Sequence, residues 1–390
     1  MATNLVGIGN SQVPTNGMLG GLAYENSSVL DQVRSGRKNM IINGAMNICQ
    51  RFAVNTANNI SNATHTYHVD RFKAYESTDA ILQGEWLDSD APSGFYYSLF
   101  YHPVGTDTTL ANNQIGFISQ VIELENIRHL WYGGSYAKTC TLSFYVKSNI
   151  TGTYCIALLN DDTNNRQFVT EYTIDSANTW ERKVITIPGD TGGTWNTNGL
   201  RIAWTLVSSG NRHTTTVGSW FEDSTVRYAT NKQKNFMSSA SNTFKITGVQ
   251  FETGNYATDF EHRSYGEELS LCQRYFYKVT GDSGERVGIG GCCVNSTEFR
   301  MNVTFPVTMR RVPTIGGTGT AQMDAADDSA DFNCSIVTIE SAPTAPISSL
   351  GLQAVTSGMT GGQGGNLRFR SDGSSLTFDA EFFWCWVINI

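Results

Sequence analysis

The chain is 390 residues long, with a formal net charge of −8 and only 16% of its residues charged. That length suggests two or three domains, and an acidic balance without a basic stripe argues against bare nucleic acid as a partner, since phosphates call for clustered Lys and Arg. Thirty-eight glycines, 11% aromatic residues and a surface of Ser, Thr and Asn rather than Lys and Glu point to sheets joined by turns.

Residues 1–38 stand apart from the rest. The run GIGNSQVPTNGMLGGLAYENSS is too rich in Gly, Asn and Ser to bury a core of its own. An extended arm is therefore expected here, docked on another subunit or virion component. Ser28 to Lys38 read as a short helix with Val29, Leu30 and Val33 inward. The first basic residue is Arg34 and no long apolar run precedes it, so no signal peptide is expected. No stretch has the length of a membrane-spanning helix, and no membrane insertion is expected.

From residue 39 to 262 the hydrophobic period is two. In TCTLSFYVKS, Cys140, Leu142, Phe144 and Val146 share one face, and Thr141, Ser143, Tyr145 and Lys147 the other. LRIAWTLV places Leu200, Ile202, Trp204 and Leu206 inward. In FKITGVQFE the apolar parity shifts across Thr247-Gly248, which predicts a β-bulge. Many strands with polar turns such as NDDTNN (160–165) and PGDTGG (188–193) mean a sandwich.

A single helix is expected next. Ser264 followed by Glu267 forms a capping box, and Leu269, Cys272 and Phe276 then share a face, with Leu271 and Tyr275 beside them. Beyond it, Phe299, Met301, Val303, Phe305, Val307 and Met309 alternate in one strand. Pro306 makes that strand an edge, or sits where no donor is needed. At the C-terminus Leu376, Phe378 and Ala380 alternate, but from Phe382 onward both faces are apolar. Such a strand wants cover on both sides, and a neighbouring copy is the expected cover.

Eight cysteines occur, none in a C-x-x-C pair, so zinc and thioredoxin-like sites are not expected. Reduced, buried thiols are the reading for Cys140, Cys155 and Cys385, and Cys292 and Cys293 should point to opposite faces. GDSG at 281–284 matches the nucleophile loop of chymotrypsin-like proteases, but Glu285 puts a carboxylate where an oxyanion would form, and a Gly-rich turn explains the run. Glycan cleavage would use two carboxylates; Asp70, Glu123, Glu125 and Glu252 qualify only by elimination, and turn capping or pairing with Arg71 or Arg128 accounts for them. Asp324, Asp327, Asp328 and Asp331 could surround calcium, but their spacing fits no known calcium loop. No catalytic residue, metal site or cofactor is expected. For sugar binding, Trp195 in TGGTWNTNG and Trp220 in TVGSWFEDS lie in polar, loop-like surroundings, where an exposed ring could stack on a glycan.

Several stretches resemble known proteins across nearly the whole chain. QVPTNGMLGGLAYE, RKNMIINGAMNICQR and YHVDRF resemble the opening of tail-fibre and other virion structural proteins of tailed phages, notably those of aquatic bacteria. KTCTLSFYVKS, TWERKVITIPGD and GLRIAWTLVSSG are similar to jelly rolls of the carbohydrate-binding-module type. FKITGVQFETGNYATDFEHRSYGEELSLCQRYFYK resembles the junction that precedes a tip domain in such phage proteins, with Asp259 where the relatives carry proline. FRMNVTFPVTMRRVPTI, SGMTGGQGGNLRF and LTFDAEF resemble their tip domains, to which this chain adds FWCWVINI.

The expected architecture is all-β: an arm (1–38), a jelly-roll β-sandwich (39–262), then a short helix and a smaller C-terminal β-sandwich tip domain (263–390). The resemblance implies a virion surface protein with a role in host attachment, and the whole reading is a homotrimeric, tail fibre-like protein, made in the host cytoplasm, that adheres to host surface glycan. A capsid fibre or decoration with no receptor is the alternative, and a glycan hydrolase the third reading.

Overall fold

In the computed structural model, residues 37–381 are described apart from 61–62, 161–165, 197–198, 283–285, 319–320, 326–330, 335, 340–346, 356–357, 359 and 370–373. The arm before Arg37, most of the helix expected from Ser28, Ser283 of the GDSG run and the apolar tail from Phe382 lie outside the described residues.

Among the described residues up to Thr253 there are thirteen strands. The first seven are β1 (Asn58–Asn59), β2 (His65–Val69), β3 (Phe72–Glu76), β4 (Ile81–Leu87), β5 (Ser98–Val104), β6 (Ile115–Ile122) and β7 (Cys140–Ser148). A four-residue helix, α1 (Leu124–Ile127), interrupts them. They continue as β8 (Gly152–Asn160), β9 (Arg166–Ile174), β10 (Glu181–Ile187), β11 (Leu200–Ser208), β12 (Trp220–Glu222) and β13 (Phe244–Thr253). Two sheets result, ordered β1-β4-β5-β13-β7-β10 and β12-β9-β8-β11-β6-β3-β2. Successive strands keep switching between the two, which makes a jelly-roll sandwich.

The expected inward residues fill its core. Leu142, Phe144 and Val146 of β7 meet Ile202, Trp204 and Leu206 of β11, all inaccessible to solvent. Phe144 stands edge-on to Trp204, 5.8 Å between centroids. The parity shift at Gly248 is a real register shift between Thr247 and Gln250, with Gly248 at φ +61°. A side chain there would run into Phe95 and Tyr145.

β11 is buried on both faces, which alternation alone does not explain. The chain's own segment after β11 returns over the outer side. Tyr228 stacks on Phe117 at 4.8 Å, and Phe117 on Tyr75 at 5.4 Å. The Gln233 side chain then ties the returning segment to the sheet, accepting from the Cys155 amide and donating to the Thr205 and Leu206 carbonyls.

The capping box is half realised. Helix α2 (Tyr265–Gln273) has Ser264 as N-cap, its hydroxyl accepting from the Glu267 amide, while the Glu267 carboxylate turns to Arg37 instead. Cys272 and Tyr275 are buried with Ile42 and Ile48 in a small junction cluster, and Leu269 and Leu271 pack against it. Phe276, expected on the helix, already opens the next strand.

The last part is a second, smaller β-sandwich. Its strands are β14 (Phe276–Gly281), β15 (Arg286–Asn295), β16 (Glu298–Met309), β17 (Thr314–Thr318) and β18 (Ala321–Ala325), followed by β19 (Asp331–Cys334), β20 (Ile336–Ile339), β21 (Ile347–Val355), β22 (Gly364–Phe369) and β23 (Ser374–Asp379). They form a sheet β14-β23-β17 and a sheet β19-β18-β22-β15-β16-β21-β20. Phe299, Met301, Val303 and Phe305 bury one face of β16, with Leu376, Phe378 and Ala380 in the same core. β16 is a central strand, not an edge. Pro306 falls in the irregular stretch between Thr304 and Met309, where the ladder to β21 is broken and no donor is missed. Cys292 is exposed and Cys293 buried, on opposite faces as strand geometry requires.

Candidate functional site

Three loops converge at one end of the jelly roll: the segment after α1 up to β7, the segment from β10 to β11, and the approach to edge strand β12. Asp190 organises them. Its buried carboxylate accepts from the Arg166 guanidinium, from Trp195 Nε1 at 3.0 Å and from the Gly192 amide at 3.2 Å. Its carbonyl accepts from the Gly133 amide at 2.8 Å, tying the first loop to the second. Two glycines permit the close approach. A side chain on Gly189 would strike the backbone of Ala137, and one on Gly193, at φ +74°, would strike Arg166.

Trp195 and Trp220 both belong to this cluster, but neither stands free as their polar neighbours suggested. Trp195 is only 8% exposed. It lies edge-on to Tyr132 at 5.1 Å and to Trp220 at 5.9 Å. Trp220 is half-buried on β12, donates Nε1 to the Pro188 carbonyl at 2.7 Å and packs on Phe168 at 5.6 Å. Gly, Thr and Asn make up the sequence around Trp195, yet the rings that bury it come from 25 and more residues away. The exposure expected of Trp195 is therefore corrected, and Trp220 has only part of its ring open.

Two rings of the first loop do face water, Trp131 and Tyr136, 63% and 81% exposed. Trp131 closes a short 3-10 turn (Arg128–Leu130) in the left-handed conformation, φ 57° and ψ 30°, its amide donating to the Arg128 carbonyl. That conformation is costly for a bulky residue, of order 1–3 kcal/mol, and persists only where surroundings impose it. Here they do: Leu130 beneath it is fully buried, and the Lys138 amide donates to the Leu130 carbonyl at 2.8 Å. Tyr132, next in sequence, turns into the Trp195–Trp220 cluster, and burial pushes its phenol well above the ordinary value. The arrangement is two open rings on a loop whose base is a rigid aromatic and ionic cluster. In chemical terms it offers flat apolar faces to sugar C–H groups beside the polar Ser135 and Lys138. Trp131 is not among the residues singled out from the sequence. The Gly133-Gly134 pair after it was the turn signal.

The carboxylates weighed for hydrolysis are engaged elsewhere. Asp70 accepts from the Gln50 amide and side chain and pairs with Arg51. Glu123 is held by Arg274 and Arg310, Glu125 by Arg128, and Glu252 accepts from Thr258 and Gln250. Asp324 and Asp331 are register partners in the backbone ladder of β18 and β19, while Asp327 and Asp328 lie outside the described residues. Among the described residues no group of three or more His, Cys, Asp or Glu gathers as for a metal, and no helix is long and apolar enough to cross a membrane.

No protein-family model matches the chain, and no curated protein matches it. Distant solved structures do. One is the enzymatically active domain of tailspike protein 4 of bacteriophage CBA120, 12% identical, covering 50% of this chain but only 21% of that one, with a TM-score of 0.27. The family 11 carbohydrate-binding module of cellulase Lic26A-Cel5E from Clostridium thermocellum is 15% identical over 52% of this chain and 100% of the module, TM-score 0.26. The C-terminal family 22 module of Clostridium thermocellum Xyn10B is 12% identical over 51% and 99%, TM-score 0.28. Likenesses this distant leave the jelly roll to rest on its own strand order, and nothing about a ligand follows from them.

Proposed function

We propose that this chain is a surface protein of a tailed-phage virion, tail fibre-like and non-enzymatic, whose jelly roll attaches reversibly to host surface glycan. The observation that carries the glycan reading is Trp131. A large apolar ring is held open to water, in a conformation that costs free energy, on a loop braced by Asp190, Trp195 and Trp220. A ring exposed at such cost suits a ligand that it meets face-on. The phage assignment rests on the resemblance of the opening, junction and tip segments, and residues 1–38 are the part offered to other virion proteins. Stacking one sugar contributes roughly 0.5–1.5 kcal/mol beyond area burial, by analogy with aromatic pairs. Single sites are then weak, and a homotrimer repeated around a virion supplies avidity.

The test is adsorption of phage particles with and without the protein. Loss of adsorption in its absence supports adhesion. Normal adsorption by particles lacking it would replace adhesion with the decoration role.

A further inference from the structure

Four side chains close on one another where β13 ends and the chain turns towards α2. Gln250 and Glu252 stand two residues apart on one side of β13, and both are buried. Thr258 comes back against the pair. Its amide donates to Glu252 Oε1 at 2.9 Å, and its hydroxyl donates to Glu252 Oε2 at 2.7 Å. Gln250 Nε2 donates to Glu252 Oε1 at 2.8 Å and lies 3.2 Å from the Thr258 hydroxyl oxygen and from the Asp259 carbonyl. Gln250 Oε1 accepts from the Glu261 amide at 2.8 Å, and the Thr258 hydroxyl oxygen accepts from the Lys38 ammonium.

These are the parts of an acyl transfer. A hydroxyl becomes a nucleophile when a base within hydrogen-bond reach takes its proton, and Glu252 stands there. The same carboxylate touches the Gln250 nitrogen, so a proton taken through one oxygen can be returned through the other. The Glu261 amide points at the oxygen on which charge gathers as an amide carbon becomes tetrahedral. A cation at the Thr258 oxygen favours its anionic form. Burial of Gln250 keeps out water, the competing nucleophile. The last torsion of a glutamine is broad, so a small turn of the amide brings its carbon to the Thr258 oxygen. Held this close, two groups that ignore each other in water react as one molecule.

We propose that Thr258 and Gln250 join spontaneously in the folded chain, as an ester between Thr258 Oγ1 and the side-chain carbon Cδ of Gln250. Oγ1 attacks Cδ as Glu252 takes the hydroxyl proton. The Cδ–Nε2 bond then breaks, Glu252 returns the proton to the nitrogen, and ammonia leaves. Nothing is oxidised or reduced, and Glu252 ends as it began. The new bond staples the segment between β13 and α2, through which a pull on the C-terminal sandwich reaches the jelly roll.

Mass spectrometry of the full chain tests the bond. The intact mass should fall short of the sequence mass by one ammonia. Chymotrypsin cuts after Phe251 and Tyr256, yet the pieces carrying Gln250 and Thr258 should stay joined, and hydroxylamine, which cleaves esters, should part them. Thr258→Val and Glu252→Gln should each abolish the loss of ammonia, while Thr258→Ser should keep it. Should either of the first two fail to fold, the mass and digest of the unaltered chain still decide. A full sequence mass in the folded chain overturns the proposal, as does loss of ammonia with pieces that separate without hydroxylamine. Exchange of ammonia for water at Gln250 overturns it too, since water and not Thr258 would then be the nucleophile.

Discussion

The guanidinium of Arg71, in the turn between β2 and β3, pairs with the carboxylate of Glu381 at the end of the smaller, C-terminal sandwich, and both are shielded from water. The Tyr275 ring lies against the same guanidinium, 3.4 Å from its carbon to the ring centroid. Arg51 repeats the pattern beside it, over Phe276 at 3.6 Å and paired with Asp379 at 3.0 Å. The two sandwiches are thus joined through buried charge as well as through α2. Removing one member of a buried pair strands the other, at about 3–5 kcal/mol, whereas replacing both by apolar groups of similar size is often neutral. Glu381→Ala should therefore destabilise the chain by about 3–5 kcal/mol in urea unfolding, and Arg71→Met with Glu381→Leu should recover most of the loss. Single substitutions that cost less than about 1 kcal/mol, the range of exposed pairs, would contradict a structural role for this pair.

Acid stability should depend on Asp90. Burial alone would raise its carboxyl, but hydrogen bonds from Lys245, Lys147 and Trp180 outweigh it and hold the pKa down to about 2, from 3.8. A folded-state value below the unfolded one stabilises the fold above the unfolded pKa, and that contribution is lost as pH falls through the folded pKa. The melting temperature should fall between about pH 4 and pH 2, and Asp90→Asn should flatten that limb while lowering stability at neutral pH. An unchanged acid limb in Asp90→Asn would contradict this role.

Much of this fold is legible in the sequence. The inward residues of β7 and β11 and the bulge at Gly248 follow from period-two alternation and its interruption, because a strand's two faces see different media. Trp195 was not legible, since its local composition is polar while its burial is made by Tyr132 and Trp220 across the sandwich end. Nor was the double burial of β11, which depends on a loop folding back so that Tyr228 reaches Phe117. Contacts distant in sequence decided each of these, and periodicity does not report them.

Asp190→Ala should weaken glycan binding without removing any ring that touches glycan. It leaves Trp195 Nε1 and Arg166 without their shared acceptor, at about 1–3 kcal/mol for each buried group left unpaired. Without those side-chain anchors the backbone at residue 190 is held less firmly, so the Gly133 amide, which donates to the carbonyl of residue 190, should exchange faster. Unchanged exchange there would show that the loop is held by other contacts.

The chain should assemble as a trimer, because the tail FFWCWVINI, read from the sequence as a strand, would be apolar on both faces and would need cover from neighbouring copies. Light scattering should report three times 42.8 kDa. Deleting residues 383–390 should weaken assembly more than folding of the jelly roll. A well-folded monomer at micromolar concentration would rule the trimer out.

Binding of purified host surface polysaccharide by the intact oligomer, compared between the unaltered chain and Trp131→Ala, bears most directly on the adhesive role. Trp131→Ala and Tyr136→Ala should each cut apparent affinity far more than the roughly fivefold that about 1 kcal/mol gives at one site, because the loss recurs in every copy. Melting temperature and oligomer mass should stay unchanged, since both rings are exposed. Undiminished binding in the combined Trp131→Ala and Tyr136→Ala variant would contradict a glycan site at this end of the jelly roll.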